Sequence, residues 1–235
     1  MALSEAPPTG AHHPTTSRST RASGPGRGWA LAGIAAAVAG IAGIAASMAI
    51  DAVYSKKIAG DASAIEDKLA TQTAQMLVFH VTTMIAALLL IVVAAGLRRR
   101  LAAGLPADSL LPSVAGSGLL LVSVAGLLGT GLDTEFIFGV KEDNQLVPEA
   151  AVFFGHWVGT IPWLWVGAGV AALCVAAAAL RHRVLPRWIG VVSLILGGII
   201  TLLGISPLQY MAGMVGPIWL LVVSIGFAAR DRESV

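Results

Sequence analysis

The chain has 235 residues, 56% of them hydrophobic and only 12% charged, with a mean hydropathy of +0.81. Soluble domains carry about 25% charged residues, disordered chains are poor in apolar ones, and the single cysteine leaves no bridge to build a disulfide scaffold, so these three classes are excluded. A net charge of +2, from 15 Lys and Arg against 13 Asp and Glu, is no footprint for nucleic acid; the partner this composition calls for is the lipid bilayer.

Residues 1–28, rich in Pro, Ser, Thr and Gly, are expected to form a disordered cytoplasmic tail with His12 and His13 solvated. A helix that crosses a ~30 Å hydrocarbon core needs ~20 mostly apolar residues. Six stretches meet or approach that length: residues 29–50, 73–97, 111–132, 151–180, 186–205 and 213–229. None has the period of two of a membrane barrel, so they predict an all-α polytopic membrane protein, a six-transmembrane-helix bundle followed by a cytoplasmic tail at residues 230–235. The first stretch exceeds the apolar core of about 7–15 residues in a signal peptide and is read as a retained span.

Between the first two spans, Ser63 and Glu66 have the spacing of a capping box. That predicts a helix starting near Ala64 and standing proud of the membrane before entering it as the second span. Residues 133–150 are expected to form an acidic loop whose Phe136, Ile137 and Phe138 fold partly over the bundle mouth. Pro162 is expected to kink the fourth span, because it removes one helical hydrogen bond. Cys174, deep in that span, is read as a packing residue.

Small residues at helical spacing, Ala32/Ala36/Gly40, Ala35/Ala39/Gly43 and Gly155/Gly159, mark faces where helices approach closely. Those faces serve intramolecular packing, a homo-oligomer or another membrane-protein partner. Trp29 and Trp188 fall at inner span boundaries, where amphipathic rings are favoured, whereas Trp157, Trp163, Trp165 and Trp219 lie deeper.

Lys and Arg enrich the cytoplasmic flanks of membrane helices. With six spans, all eleven arginines and four carboxylates fall on one side, leaving +7, while four lysines and nine carboxylates on the other leave −5. Both termini are therefore expected in the cytoplasm.

Ionisable residues inside spans are functional candidates by default. Two lie well inside, His80 in the second span and His156 in the fourth, about 10 and 8 Å below the outer surface at 1.5 Å per residue. Thr83 and Thr160 come one turn further in. Asp51, Asp133 and Glu135 end neighbouring spans near that level, and Gln75, Gln209 and Tyr210 are placed to complete a polar pocket in the outer leaflet. Three readings of this constellation compete. The histidines fasten outer loops to the bundle; or they hold a divalent transition metal or haem b; or one titrates beside a carboxylate in a proton-coupled transporter or membrane enzyme. No phosphate-binding loop, nucleophile elbow, zinc-protease motif or dinucleotide fingerprint accompanies them.

The stretch Val184-Leu185-Pro186-Arg187-Trp188-Ile189-Gly190 with Ser193 and Gly197-Gly198, the run Gly96–Leu101, and Gly216-Pro217-Ile218-Trp219 with the arginines that follow carry a resemblance. They resemble a domain-of-unknown-function family of small six-helix bacterial integral membrane proteins, over roughly Gly28 to Arg232. That resemblance implies a six-helix bundle in the cytoplasmic (inner) membrane of a bacterium, and no assigned activity. The chain is also similar, more loosely, to six-helix haem proteins of the cytochrome b561 type, whose helices two and four present haem-ligating histidines. His80 and His156 match that placement, and the family's second pair, on helices three and five, has no counterpart here. The expected function is an accessory or small-ligand-binding membrane protein, more readily a binding protein than an enzyme, using an outer-leaflet polar pocket.

Overall fold

The computed structural model describes residues 27–140 and 146–230. Residues 1–26, with His12 and His13, residues 141–145 of the acidic segment, and residues 231–235 lie outside the described residues. Among the described residues the chain is all-helical. Its helices are α1 (Gly28–Met48), α2 (Ala62–Ala70), α3 (Thr73–Ala102), α4 (Leu111–Gly129), α5 (Asp133–Gly139), α6 (Pro148–Val158), α7 (Val166–Leu180), α8 (Arg187–Ile205) and α9 (Ala212–Arg230). Short 3-10 turns occupy Ala52–Tyr54, Ile161–Trp163 and Gln209–Met211. Six segments are long and apolar enough to cross a membrane: Gly28–Met48, Thr73–Ala102, Leu111–Gly139, Pro148–Leu180, Arg187–Ile205 and Gln209–Arg230.

These segments form a closed ring in chain order. α1 packs on α3, α3 on α4, α4 on α7, α7 on α8, α8 on α9, and α9 returns to α1. The fourth segment is 67% buried and the fifth only 28%, so the fourth is the spine against which neighbours pack. Close approach is set by small residues. A Cβ on Gly118 of α4 or on Gly167 of α7 would strike the other's backbone carbonyl, and one on Gly33 of α1 would strike Ser224 of α9. In the first stripe of α1, Ala36 and Gly40 are buried against neighbouring helices; in the second, Ala35 is exposed while Gly43 meets Thr83.

Among the described residues the arginines gather at one end of this ring and the carboxylates, apart from Asp108, at the other. At the arginine end, Trp29 is buried over Gly96 and packs on Phe227 with ring centroids 5.0 Å apart. The sequence places it at the interface, but the missing side chain of Gly96 opens a seat that draws the ring inward. Trp188 stays half-exposed against Gly226. Trp219, fully buried, donates from Nε1 to Ser193 Oγ at 3.1 Å, which satisfies its one polar atom in the bundle core.

The carboxylate end has a core of its own. Ile65 and Leu69 of α2, Phe79 of α3, Phe136 of α5 and Phe154 of α6 are packed together, with Phe136 and Phe154 stacked at 4.1 Å. The helices that build it begin differently from the sequence expectation. α2 starts at Ala62, and its cap is Asp61, whose Oδ1 accepts from the Ala64 amide at 3.0 Å. Ser63 thus falls within the first turn and caps nothing. Gly60 turns the chain into this cap with a φ of +85°, a backbone conformation open to glycine. Nor does α2 run on into the membrane. Bonds from the amides of Thr71 and Gln72 to the carbonyls of Lys68 and Leu69 tighten its last turn, and a new helix starts at Thr73. The expected acidic loop instead begins with a helix, α5, which lies on α3 and buries Phe136 while Phe138 stays exposed.

Candidate functional site

The site grows out of a break in the fourth span. In a continuous helix the amide of residue 162 would serve the carbonyl of Val158, but Pro162 has no N–H to give. The helix stops at Val158, passes through the 3-10 turn Ile161–Trp163, and resumes at Val166. This is a full break, where the sequence predicts a kink. The freed carbonyl is satisfied from another helix: Ser47 Oγ of α1 donates to Val158 O at 2.8 Å, and Trp163 Nε1 donates to Ser47 Oγ at 2.9 Å. Irregular backbone is tolerable at membrane depth only with such replacement. Trp157 Nε1 donates to Leu128 O at 3.1 Å, and Pro162 rests where a Cβ on Gly129 would collide, so α4 braces the break from the far side.

Between this break and the chain that leaves α1 lies a cleft of about 470 Å³, within the size range of small-molecule sites. Ser47 and Met48 close its α1 side, and Gly159, Thr160 and Trp163 its broken side. Asp51, Tyr54, His156 and Tyr210 supply the remaining walls. Thr160 Oγ1 donates to the His156 carbonyl at 2.7 Å, so that hydroxyl is committed to its own helix.

Asp51 is set in place by the first turns beyond the bundle. Its Oδ1 accepts from Gln72 Nε2 at 2.6 Å and lies 3.0 Å from Lys68 Nζ, while the same Gln72 nitrogen donates to Ala49 O at 3.2 Å. The Lys68 ammonium, and after it the Gln72 amide, hold the Asp51 carboxyl below its ordinary pKa, so it is a carboxylate at neutral pH. Tyr54 meets His156 edge to face at 5.7 Å and 87°, with its hydroxyl above Gly159. Burial, and then the nearby Tyr210, push the Tyr54 phenol up, keeping it neutral.

His80 has a different setting. Its Nδ1 lies 3.0 Å from Asp133 Oδ2, across α3 and α5; the Asp133 side chain is wholly buried and that of His80 one-third exposed. Asp133 Oδ1 has no hydrogen-bond partner among the described residues. The pair holds α5 on α3 beside the Phe136–Phe154 stack.

Of the residues expected to share one pocket, the cleft therefore collects Asp51, His156, Thr160 and Tyr210. His80 and Asp133 pair with each other, and Glu135 and Gln209 are exposed and absent from the lining. Thr83 faces Gly43 and a separate void of about 20 Å³ lined by Gly40, Pro162 and Trp165, room for about one water. The two imidazoles, matched above to haem or metal ligation, thus take different partners. Among the described residues, no three His, Cys, Asp or Glu side chains converge to hold a metal ion.

Sequence reasoning missed Ser47, Tyr54, Lys68 and Gln72. For Tyr54 there was a usable signal, since the chain has only two tyrosines and both line the cleft. Cys174, read as a packing residue, is buried in α7. No protein-family model, curated protein or solved structure matches the chain.

Proposed function

We propose that this multi-pass membrane protein is a small-ligand-binding accessory protein of a bacterial cytoplasmic membrane, with both termini inside and the cleft on the outer side. The cleft between α1 and the broken fourth span carries the reading. It is large enough for an amphipathic molecule, mostly apolar, and furnished with a carboxylate, an imidazole and two phenols. Its floor is preorganised by the Ser47–Val158–Trp163 bonds, which lowers the ordering cost of binding. The orientation rests on the positive-inside bias of the arginine end, and the bacterial setting on the resemblance to small six-helix bacterial membrane proteins.

A thermal-shift series on the detergent-purified protein tests the reading, using phenyltrimethylammonium, benzoate, phenylalanine and benzyl alcohol as cationic, anionic, zwitterionic and neutral probes. At least one raises Tm, and Met48→Trp, which fills the cleft from an exposed wall position, abolishes the rise. No rise with any probe, or a rise that survives in Met48→Trp, overturns it. For orientation, a cysteine at the exposed Lys57 reacts with a membrane-impermeant maleimide in intact cells. Reaction only after permeabilisation reverses the sidedness.

A second reading, proton coupling, draws on the His80–Asp133 pair. An imidazole shares a buried carboxylate whose other oxygen is unpartnered among the described residues, and such a pair can pass a proton. It requires proton flux into proteoliposomes that Asp133→Asn stops; wild-type vesicles without flux remove it.

A further inference from the structure

We propose that the cleft selects an organic cation, an ammonium group on an apolar body, with the charge held toward Asp51 and the body against Tyr54, Trp163 and Tyr210. This rests on the reading of the cleft as a ligand site and names the class of ligand.

The charge of the lining comes first. Among the described residues Asp51 is its only carboxylate, and neither Lys nor Arg lines it. Lys68 reaches Asp51 from α2, outside the lining, and both it and Gln72 address the same oxygen, Oδ1. Oδ2 takes part in neither contact. The site therefore offers a carboxylate oxygen to a cation while its protein partners stay in place.

The aromatic content comes second. Tyr54, Trp163 and Tyr210 stand around one cleft, with His156 edge-on to Tyr54. Faces of Trp and Tyr attract cations through the ring quadrupole, and they suit quaternary ammonium groups, which carry no N–H to donate. An anion meets opposition from both the carboxylate and the rings. A small inorganic cation wants several converging oxygens, and among the described residues no three acidic, His or Cys side chains converge. A cavity of about 470 Å³ also exceeds what a bare ion fills.

Calorimetric titration with phenyltrimethylammonium and with tert-butylbenzene, its neutral isostere, separates charge from shape. The cation binds at least tenfold more tightly than the isostere, and Asp51→Asn erases that preference. Lys68→Met, which removes the competing ammonium, tightens cation binding several-fold and serves as the deciding variant should Asp51→Asn not fold. Equal binding of the two probes overturns the cation class while leaving the small-ligand reading intact. Absence of phenyltrimethylammonium binding also overturns it, and the small-ligand reading is then decided by benzoate, phenylalanine and benzyl alcohol. Unchanged cation affinity in both Asp51→Asn and Lys68→Met removes Asp51 from the site and the proposal with it.

Discussion

His80 and His156 stand on helices that lead from the same end of the bundle, yet their surroundings ask different things of them. His80 is spent on one partner: its ring meets a wholly buried carboxylate at 3.0 Å and ties α5 to α3 beside a packed aromatic core. His156 is exposed and borders a cleft of about 470 Å³, sharing it with a carboxylate and two phenols. One imidazole is consumed in holding the protein together; the other is left facing a space. The contrast shows why an ionisable residue within a span cannot be assigned by depth alone. What decides its use is whether its polar atoms are satisfied by the fold or remain available.

The strongest way to probe that contrast is to attack the floor of the cleft. Ser47→Ala leaves a buried carbonyl on Val158 and a buried indole N–H on Trp163 without partners. It is expected to destabilise by about 2–6 kcal/mol, taking roughly 1–3 for each orphaned group, as measured by unfolding in micelles. Adding Pro162→Ala returns an amide N–H at the position that serves the Val158 carbonyl. The double variant should recover part of the loss, and a purely additive result would show that the break does not depend on Ser47. Next in size is Asp133→Ala, expected to cost about 2 kcal/mol as a wholly buried side chain and its bond to His80 are lost, with the cleft's affinity for phenyltrimethylammonium unchanged. His156→Ala should do the reverse: stability within about 0.5 kcal/mol, as for exposed positions, and weaker cation binding. If His156→Ala proves as destabilising as Asp133→Ala, both histidines are fasteners and the contrast collapses.

The spans were legible because hydropathy is a sum over about twenty residues and tolerates local error. Their ends and breaks were not, because single contacts from distant residues decide them. Pro162 announces a disturbance, but whether it kinks or breaks the helix depends on a donor for Val158, and that donor is Ser47, 111 residues away. The start of α2 turned on Asp61 rather than Ser63, two oxygens two residues apart, each able to cap a helix in its own register. Thr83 and Thr160 illustrate rotation rather than depth. Each follows its histidine by three or four residues, yet Thr83 faces α1 while Thr160 borders the cleft. Helix rotation about its own axis is fixed by packing, which a lone sequence of Leu, Ile, Val and Ala leaves open.

The smallest effect concerns Asp51, where the contrast can be sharpened without touching either histidine. A carboxyl held below its ordinary pKa of 3.8 by Lys68 and Gln72 contributes stability that is fully present above that value and lost as pH falls through the lower, folded-state value. Lys68→Met removes the larger cause, so its loss of cation binding on acidification should begin at a higher pH than in the wild type, between about 3 and 5 where ordinary carboxylates titrate. The groups facing Asp51 are Lys68 of α2 and Gln72 of the link between α2 and α3, with His156, Tyr54 and Tyr210 across the cleft. The Tyr54 phenol, pushed up by burial, stays neutral through that window, and Lys68→Met removes the neighbour that lowers the Asp51 carboxyl most, so a shifted midpoint reports on Asp51. Because Asp51 and Lys68 are both partly exposed, the difference should shrink at high salt, as a screened pair requires. A midpoint that does not move in Lys68→Met would mean that Gln72 alone holds the carboxylate, and that the ammonium competing for the cleft's charge is absent in solution.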